Sequence, residues 1–163
     1  MKLIKLTKGY FVKVDDEDYD ELNKFMWQVK VGVPRTFYAV RTINVGNGKR
    51  SCMSMHRQIM GCSIGDGRMI DNKDRDGLNC QKSNLRFATF SQNSANKTAK
   101  KNGASKYVGV CWEEKRTYWK AQIRKDGKLK YLGYYAKEID AARAYNKEAI
   151  LLHGEFANLN IIP

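Results

Sequence analysis

The stretch MIDNKDRDGLNCQKSNLR, residues Met69 to Arg86, gathers Asp71, Asp74, Asp76, Asn72, Asn79 and Asn84 among basic residues. Carboxylates and carboxamides at that density can hold a hard cation. Hydrolysis of a phosphodiester needs a base for the attacking water, a cation for the charge on the phosphorane and leaving oxygen, and a charge that clamps the phosphate. Mg²⁺ takes few protein oxygens and keeps several waters. Asp71 and Asn84 can supply two such oxygens if a hairpin carries the first and a helix starting near Ser83 carries the second. The same residues also make a plain capped turn: Ser83 is a good N-cap, Leu85 and Phe87 can pack, and Asp74, Asp76 and Gly77 are turn formers. Taken alone, the stretch leaves both readings open.

The two histidines, His56 and His153, stand far apart. His153 closes a helical pattern, where capping is its natural role. His56 lies nearer to the acidic stretch and is the candidate substitute base. Cys52, Cys62, Cys80 and Cys111 form no C-x-x-C pair, so zinc is not expected, and scattered reduced thiols fit a cytoplasmic protein.

The chain has 163 residues, 42% of them hydrophobic, 18 aromatics, and a net charge of +13. This is enough apolar material for one ordinary domain or a few small modules. The charge is spread: residues 1 to 50, 51 to 105 and 106 to 163 carry +4, +5 and +4. A long polyanion touching the whole length fits that distribution, and nucleic acid is such a partner. No amphipathic basic helix, long apolar run or signal-peptide core points to a membrane.

Several elements must position these residues. LIKLTKGYFVKV alternates as a strand, and DDEDYDELNKFMW starts a helix that puts Leu22, Phe25 and Met26 on one face. RTFYAVRTINV is extended and ends at a hairpin turn in GNGKR. SCMSMHRQIMG reads as a short helix stopped by Gly61. Residues 93 to 105 contain almost nothing apolar and carry Lys97, Lys100 and Lys101, the composition of a flexible basic linker.

From Lys106 the pattern is sharper. YVGVCW, YWKAQIRK and LKYLGYY are three short strands, followed by a helix, AKEIDAARAYNKEAILLHG, closed by Gly154. In the middle strand Trp119, Ala121 and Ile123 face one way, and Lys120, Gln122 and Arg124 the other. On the helix Ala142, Tyr145, Ala149 and Leu152 recur at helical spacing and can cover the apolar sheet face. The basic face stays open, with the size and chemistry to enter a major groove.

The blocks YVGVCW, WKAQIR, YLGYY, AARAYNKEA and GEFANLN resemble the DNA-binding domain of plant ethylene-response factors, which also occurs at the C-terminus of HNH homing endonucleases. The resemblance covers residues 106 to 160 and implies that the sheet reads the major groove. By position, Arg124 matches a DNA-contacting Arg, Tyr131 a DNA-contacting Trp, Gly109 a glycine of close backbone approach, and Tyr145 a helix Tyr near the sheet. Cys111, Val108 and Leu129 stand where the plant domain has arginines, so the plant target sequence does not carry over.

MIDNKDRDGLNCQKSNLR in turn resembles the ββα-metal motif of HNH homing endonucleases. LTKGYFVKVDDEDYDEL, YAVR and MHRQIM resemble the N-terminal part of the phage enzymes. The resemblance implies an endonuclease that nicks or cuts double-stranded DNA with one divalent metal ion, Mg²⁺ or Mn²⁺. It makes Asp71 and Asn84 the metal ligands, and it places His56, Arg57 and Arg86 in matching blocks as candidate phosphate contacts. Where the pattern has its general-base His, this chain has Asn72, and a carboxamide does not accept a proton near neutral pH. Arg75, Asn79, Cys80 and Gln81 also depart from the pattern, leaving Asp71 and Asn84 intact.

The expected fold is α+β: an N-terminal strand, helix and hairpin unit (1 to 50), a ββα-metal HNH core (51 to 92), a basic linker (93 to 105), and a three-stranded antiparallel sheet packed on one helix (106 to 163). The candidate DNA-contacting set is Arg124, Gln122, Lys120, Tyr131, Gly109, Trp112, Arg116 and Lys128, with Lys97, Lys100 and Lys101 in the linker. The expected activity is metal-dependent cleavage of double-stranded DNA by a monomer with no protein partner, impaired by Asn72 while binding survives. The alternative is a DNA-binding protein without catalysis, built on a decayed nuclease. An RNA-binding module fits less well, because the sheet lacks the paired stacking-aromatic motif.

Overall fold

The computed structural model describes residues 1–32, 36–96 and 103–163. Lys97, Lys100 and Lys101 lie outside the described residues. The fold is mixed α+β, and the chain divides into two units, Met1–Ala88 and Thr89–Pro163.

The first unit opens with β1 (Lys2–Lys5) and β2 (Phe11–Val14), an antiparallel pair with Leu3 opposite Lys13. The expected single strand is thus two, split by a 3-10 turn at Thr7–Gly9. Period two puts Ile4, Val12 and Val14 inside. Helix α1 (Asp16–Asn23) starts with Asp16, Glu17 and Asp18, the charge that a helix N-terminus favours. Only Leu22 of its expected apolar face is buried; Phe25 and Met26 lie beyond the last helical residue and are exposed. Trp27 fills the core instead, and its indole N–H donates to the Leu22 carbonyl at 2.8 Å. That bond satisfies the one polar atom of a buried indole.

Strands β3 (Gln28–Val31), β4 (Phe37–Asn44) and β5 (Arg50–Ser54) form an antiparallel sheet in that order. Helix α2 is only Met55–Ile59. The helix expected over SCMSMHRQIMG is therefore half strand, because Ser54 to Arg50 pair with Val40 to Asn44 and the ladder overrides local propensity. Strands β6 (Met69–Asn72) and β7 (Leu85–Ala88) form the last antiparallel pair of the unit.

One core cluster joins Ile4, Leu6, Val12, Val14, Leu22, Trp27 and Ala39 to Met55 and Cys80. The expected N-terminal unit thus shares its interior with Met55 and Cys80 of the expected HNH core, and both lie in the unit Met1–Ala88. Each fully buried side chain of this size contributes about 1.5–3 kcal/mol.

In the second unit, α3 (Phe90–Ala95) is capped by Thr89, whose hydroxyl accepts from the Gln92 N–H while the Gln92 side chain accepts from the Thr89 N–H. This corrects both the helix expected to start at Ser83 and the start of the linker at 93. Ala95 and Asn96 are buried, and the Ser91 hydroxyl accepts from the Asp126 N–H at 3.1 Å. Strands β8 (Val110–Glu113), β9 (Tyr118–Lys125) and β10 (Lys128–Tyr135) form an antiparallel sheet with β9 central. Helix α4 (Glu138–His153) lays Ala141, Ala142, Tyr145 and Ala149 on Ala121, Ile123 and Val110. Alanines let the helix approach the sheet closely, and Tyr145 fills the remaining depth.

Candidate active site and candidate nucleic-acid interface

The segment between β6 and β7 is held by the first strands of its own unit. The Lys13 N–H donates to the Leu78 carbonyl at 2.8 Å, and the Cys80 N–H donates to the Lys13 carbonyl at 2.9 Å. Asp15 reaches across from the start of α1, one oxygen accepting from Gln81 Nε2 at 3.1 Å and the other from the Lys82 N–H at 2.8 Å. Asp15 is a positioning residue that sequence reasoning missed, since its partners Gln81 and Lys82 lie far along the chain. Gly77 permits a further contact, since a Cβ there would lie 2.4 Å from the Phe37 carbonyl oxygen.

Neighbours on an extended strand leave from opposite sides. Asp71 therefore meets Arg86 across the ladder, whereas Asn72 turns into the loop. Asp71 is 4% exposed, and Arg86 donates to its Oδ2 from Nε at 2.9 Å and from Nη2 at 2.7 Å. Asn72 is also buried, and its Nδ2 donates to the carbonyls of Asp76 at 3.1 Å and Asn79 at 3.0 Å. The residue at the expected base position thus serves as a clamp on the loop.

Asn84 stands in the turn before β7 rather than on a helix. Its Oδ1 accepts from the Asp74 N–H at 3.0 Å, and its Nδ2 donates to Asp74 Oδ1 and to the Asn79 carbonyl, each at 2.9 Å. Asn79 Nδ2 donates to Asp74 Oδ2 at 2.7 Å. Burial raises the Asp74 carboxyl pKa, but the bonds from Asn79, the Asp76 backbone and Asn84 outweigh it and hold that pKa below the usual carboxylate value. Asp74, Asn79 and Asn84 therefore form a polar knot inside the loop.

Among the described residues no three His, Cys, Asp or Glu side chains converge as a metal cage. One buried carboxylate is a donor of the kind Mg²⁺ uses, since that ion binds through one or two carboxylates, several waters and the phosphate of its substrate. The residues present fit a cation of that kind held by Asp71 and completed by DNA.

The candidate phosphate contacts are committed within the protein. Arg57 bonds to Asp66 and to the Ser63 carbonyl, and Arg68 Nε donates to Asp66 Oδ2 at 2.9 Å. Burial raises the Asp66 pKa, but the bonds from Arg68 and Arg57 win and hold it at about 2. His56 borders an open cleft of about 410 Å³ with Arg57, Gly65, Gly67, Arg68, Met69 and Ile70. Its ring lies 5.7 Å from that of Tyr38, and its Nδ1 is buried with no hydrogen-bond partner. Burial, and secondarily the charge of Arg57, push its pKa down to about 4. His56 is therefore neutral at pH 7 and supplies no charge to a phosphate.

A consequence for stability follows. Between pH 6.5 and about 4 the unfolded chain protonates His56 and the folded chain does not, so stability falls as pH drops through that window. The loss is on the order of 3 kcal/mol at its full extent. Urea titrations at pH 7 and pH 4.5 should show the fall, and His56→Gln should flatten it; an unchanged slope in the variant contradicts the assignment.

In the second unit the expected division of the sheet is present. Ala121 and Ile123 are buried, whereas Lys120 and Gln122 are half-buried and Arg124 is exposed. Register places Tyr131 opposite Gln122, Leu129 opposite Arg124, and Tyr134 opposite Lys120, so these residues share the open face. Lys120 pairs with Glu113 at 2.9 Å, Tyr131 and Tyr134 are joined through their hydroxyls, and the Arg116 guanidinium lies 4.7 Å from the Tyr134 ring centre. Tyr134 is a member of this face that the sequence reading missed.

Three expected members lie elsewhere. Trp112 pairs with Trp119 on the helix side, the two rings edge to face at 5.0 Å. Lys128 stands opposite Lys125, whose parity along β9 is that of Ile123, so it too belongs to the helix side. Gly109 makes its close approach inside the unit: an added Cβ would lie 2.1 Å from Tyr145 Cδ2.

No family model matches the sequence. An uncharacterized HNH endonuclease of Acanthamoeba polyphaga mimivirus is 33% identical over 166 aligned positions, which cover 98% of this chain and 80% of that protein. The chain belongs to the HNH endonuclease family. Both units of this endonuclease lie within the aligned span, so the relationship is not confined to the β6–β7 hairpin. Family membership makes the chain a nuclease at the level of the family.

Proposed function

We propose that this chain is a homing-type, site-specific endonuclease whose chemistry is stalled at Asn72 while DNA binding is kept. The observation that carries this reading is the hairpin itself. Asp71 sits beside Arg86 on one side of β6, where a metal and a phosphate would be handled. On the other side, the position that would take the proton from water holds an amide spent on two loop carbonyls. When bound, Mg²⁺ or Mn²⁺ would stabilise charge on the phosphorane and leaving oxygen. Asp71 would hold that ion, and Asn84 would act by fixing the loop. Arg86 would clamp the phosphate. Asn72 leaves the attacking water without a base, a deficit of about 10²- to 10⁴-fold in rate.

The C-terminal sheet would read the major groove through Arg124, Gln122 and Tyr131, with Lys120 and Arg116 toward phosphates. Two unlike DNA-contacting modules in one chain suit a long asymmetric target read by a monomer, since linked modules gain affinity through effective concentration. Without chemistry, the same architecture is a DNA-binding protein, and the test is whether restoring a base restores cleavage. For the sheet, Arg124→Ala should lower affinity for selected duplexes by roughly 5- to 100-fold and relax base preference. Gel shifts across a salt series provide the measurement; unchanged affinity and preference would remove the groove assignment.

A further inference from the structure

The contact between Asp71 and Arg86 carries a second consequence. The two residues are direct partners across β6 and β7, 4% and 12% exposed at their side chains, with two N–H groups converging on one carboxylate oxygen. A buried carboxylate needs a counter-charge, and Arg86 supplies one at direct contact, so its removal leaves Asp71 less compensated in a poorly solvated place. Arginine binds carboxylate and phosphate oxygens with the same fork of donors, so a DNA phosphate at the hairpin competes with Asp71 for the guanidinium. Asp71 is the carboxylate that faces Arg86 across this ladder, while Asp74 is bonded into the knot with Asn79 and Asn84.

We propose that Arg86 is a built-in counter-ion that competes with a divalent cation for Asp71 and gives the carboxylate up when a DNA phosphate draws the guanidinium away. This inference rests on the reading of Asp71 as the metal residue. In the absence of DNA, Arg86 neutralises Asp71 and holds the affinity for metal low. With a phosphate at the hairpin, Arg86 has a new partner and Asp71 is released to the cation. Metal loading is then coupled to substrate, so the protein does not carry a charged cation site ready for any water or phosphate that enters.

The test is a Mn²⁺ titration followed by electron paramagnetic resonance, on the full chain, Arg86→Gln and Asp71→Asn. Without DNA, Arg86→Gln should bind Mn²⁺ at least about tenfold more tightly than the parent, and Asp71→Asn should lose the site. With a random-sequence duplex at low ionic strength, and with Asp71→Asn on the same duplex as the blank for ions held by DNA, the parent should tighten toward Arg86→Gln. If Arg86→Gln is unfolded alone, Mn²⁺ should restore its thermal transition, because a ligand bound only by the folded state stabilises it. Equal or weaker binding by a folded Arg86→Gln, an unfolded variant that Mn²⁺ does not rescue, or a parent that does not tighten on DNA would each overturn the counter-ion role. Mn²⁺ binding unaffected by Asp71→Asn would instead overturn the metal reading itself.

Discussion

A β-carbon at Gly109 is expected to unfold the C-terminal unit. The backbone there has φ of +73°, in the left-handed region that L side chains rarely adopt. An added Cβ would stand 2.1 Å and 2.4 Å from two Tyr145 ring carbons and 2.6 Å from the Gln122 carbonyl oxygen. Neither neighbour can yield: Tyr145 is buried against Ile123 and Ala149, and the Gln122 N–H donates to the Gly109 carbonyl at 2.9 Å. Gly109→Ala should therefore cost about 3 kcal/mol or more, strain and overpacking together, a large share of the stability of a small domain. Gly127→Ala is the matched control, because φ there is +78° and an added Cβ meets nothing within 4 Å, so only the conformational cost of about 1 kcal/mol remains. Denaturant melts followed by Trp fluorescence should show the C-terminal transition lost or strongly shifted in Gly109→Ala and nearly kept in Gly127→Ala. Equal shifts in the two would mean that the contact with Tyr145 does not set the packing.

Gly109 also shows where a sequence stops being readable. Its type announced a close approach, but the partner is the ring of Tyr145, 36 residues further along the chain in α4, and no local pattern distinguishes that ring from a DNA backbone. The alternation in YWKAQIRK was legible because period two is a local property, and Ala121 and Ile123 are indeed inside. Which side Trp112 and Lys128 take was not legible, because their parity depends on the β8–β9 and β9–β10 registers, and these are set by turns and a bulge between Tyr131 and Gly133. In the first unit the short segment Arg50–Ser54 has weak intrinsic preference, so its pairing with β4 decided its state. The acidic stretch was legible as a hairpin with Asp71 in it. The work of Asn72 and Asn84 was not, because both side chains bond to carbonyls and amides that only the folded loop brings near.

Replacing Asn72 with His is expected to gain cleavage at a small cost in stability. The amide satisfies two carbonyls, those of Asp76 and Asn79, and an imidazole donating through Nδ1 can satisfy one of them. Each carbonyl keeps a second donor, the Asn79 N–H for Asp76 and Asn84 Nδ2 for Asn79, so the loss is one hydrogen bond of about 0.5–1.5 kcal/mol, and Asn72→His should melt slightly below the parent. In return, with Nδ1–H held by a loop carbonyl, Nε2 keeps its lone pair and an ordinary imidazole is basic near neutral pH. The gain in Mg²⁺-dependent rate should be about 10²- to 10⁴-fold, equivalent to about 3–5 kcal/mol of barrier. His56 does not supply this function in the parent, since burial leaves it with a pKa of about 4 and therefore a poor base at pH 7. Rate against pH separates the two histidines: activity regained at position 72 should rise with a pKa near that of free imidazole, well above that of His56.

The direct test of the central claim is nicking of supercoiled plasmid carrying binding-selected target sequences, measured side by side for the parent, Asn72→His and the double variant Asn72→His with Asp71→Asn, in Mg²⁺ and in chelator. The account predicts matched DNA binding by the parent and Asn72→His, little or no nicking by the parent, Mg²⁺-dependent nicking by Asn72→His, and its loss in the double variant. Folded, DNA-bound Asn72→His that leaves the plasmid supercoiled, or a parent that already nicks at the rate of the variant, would contradict it.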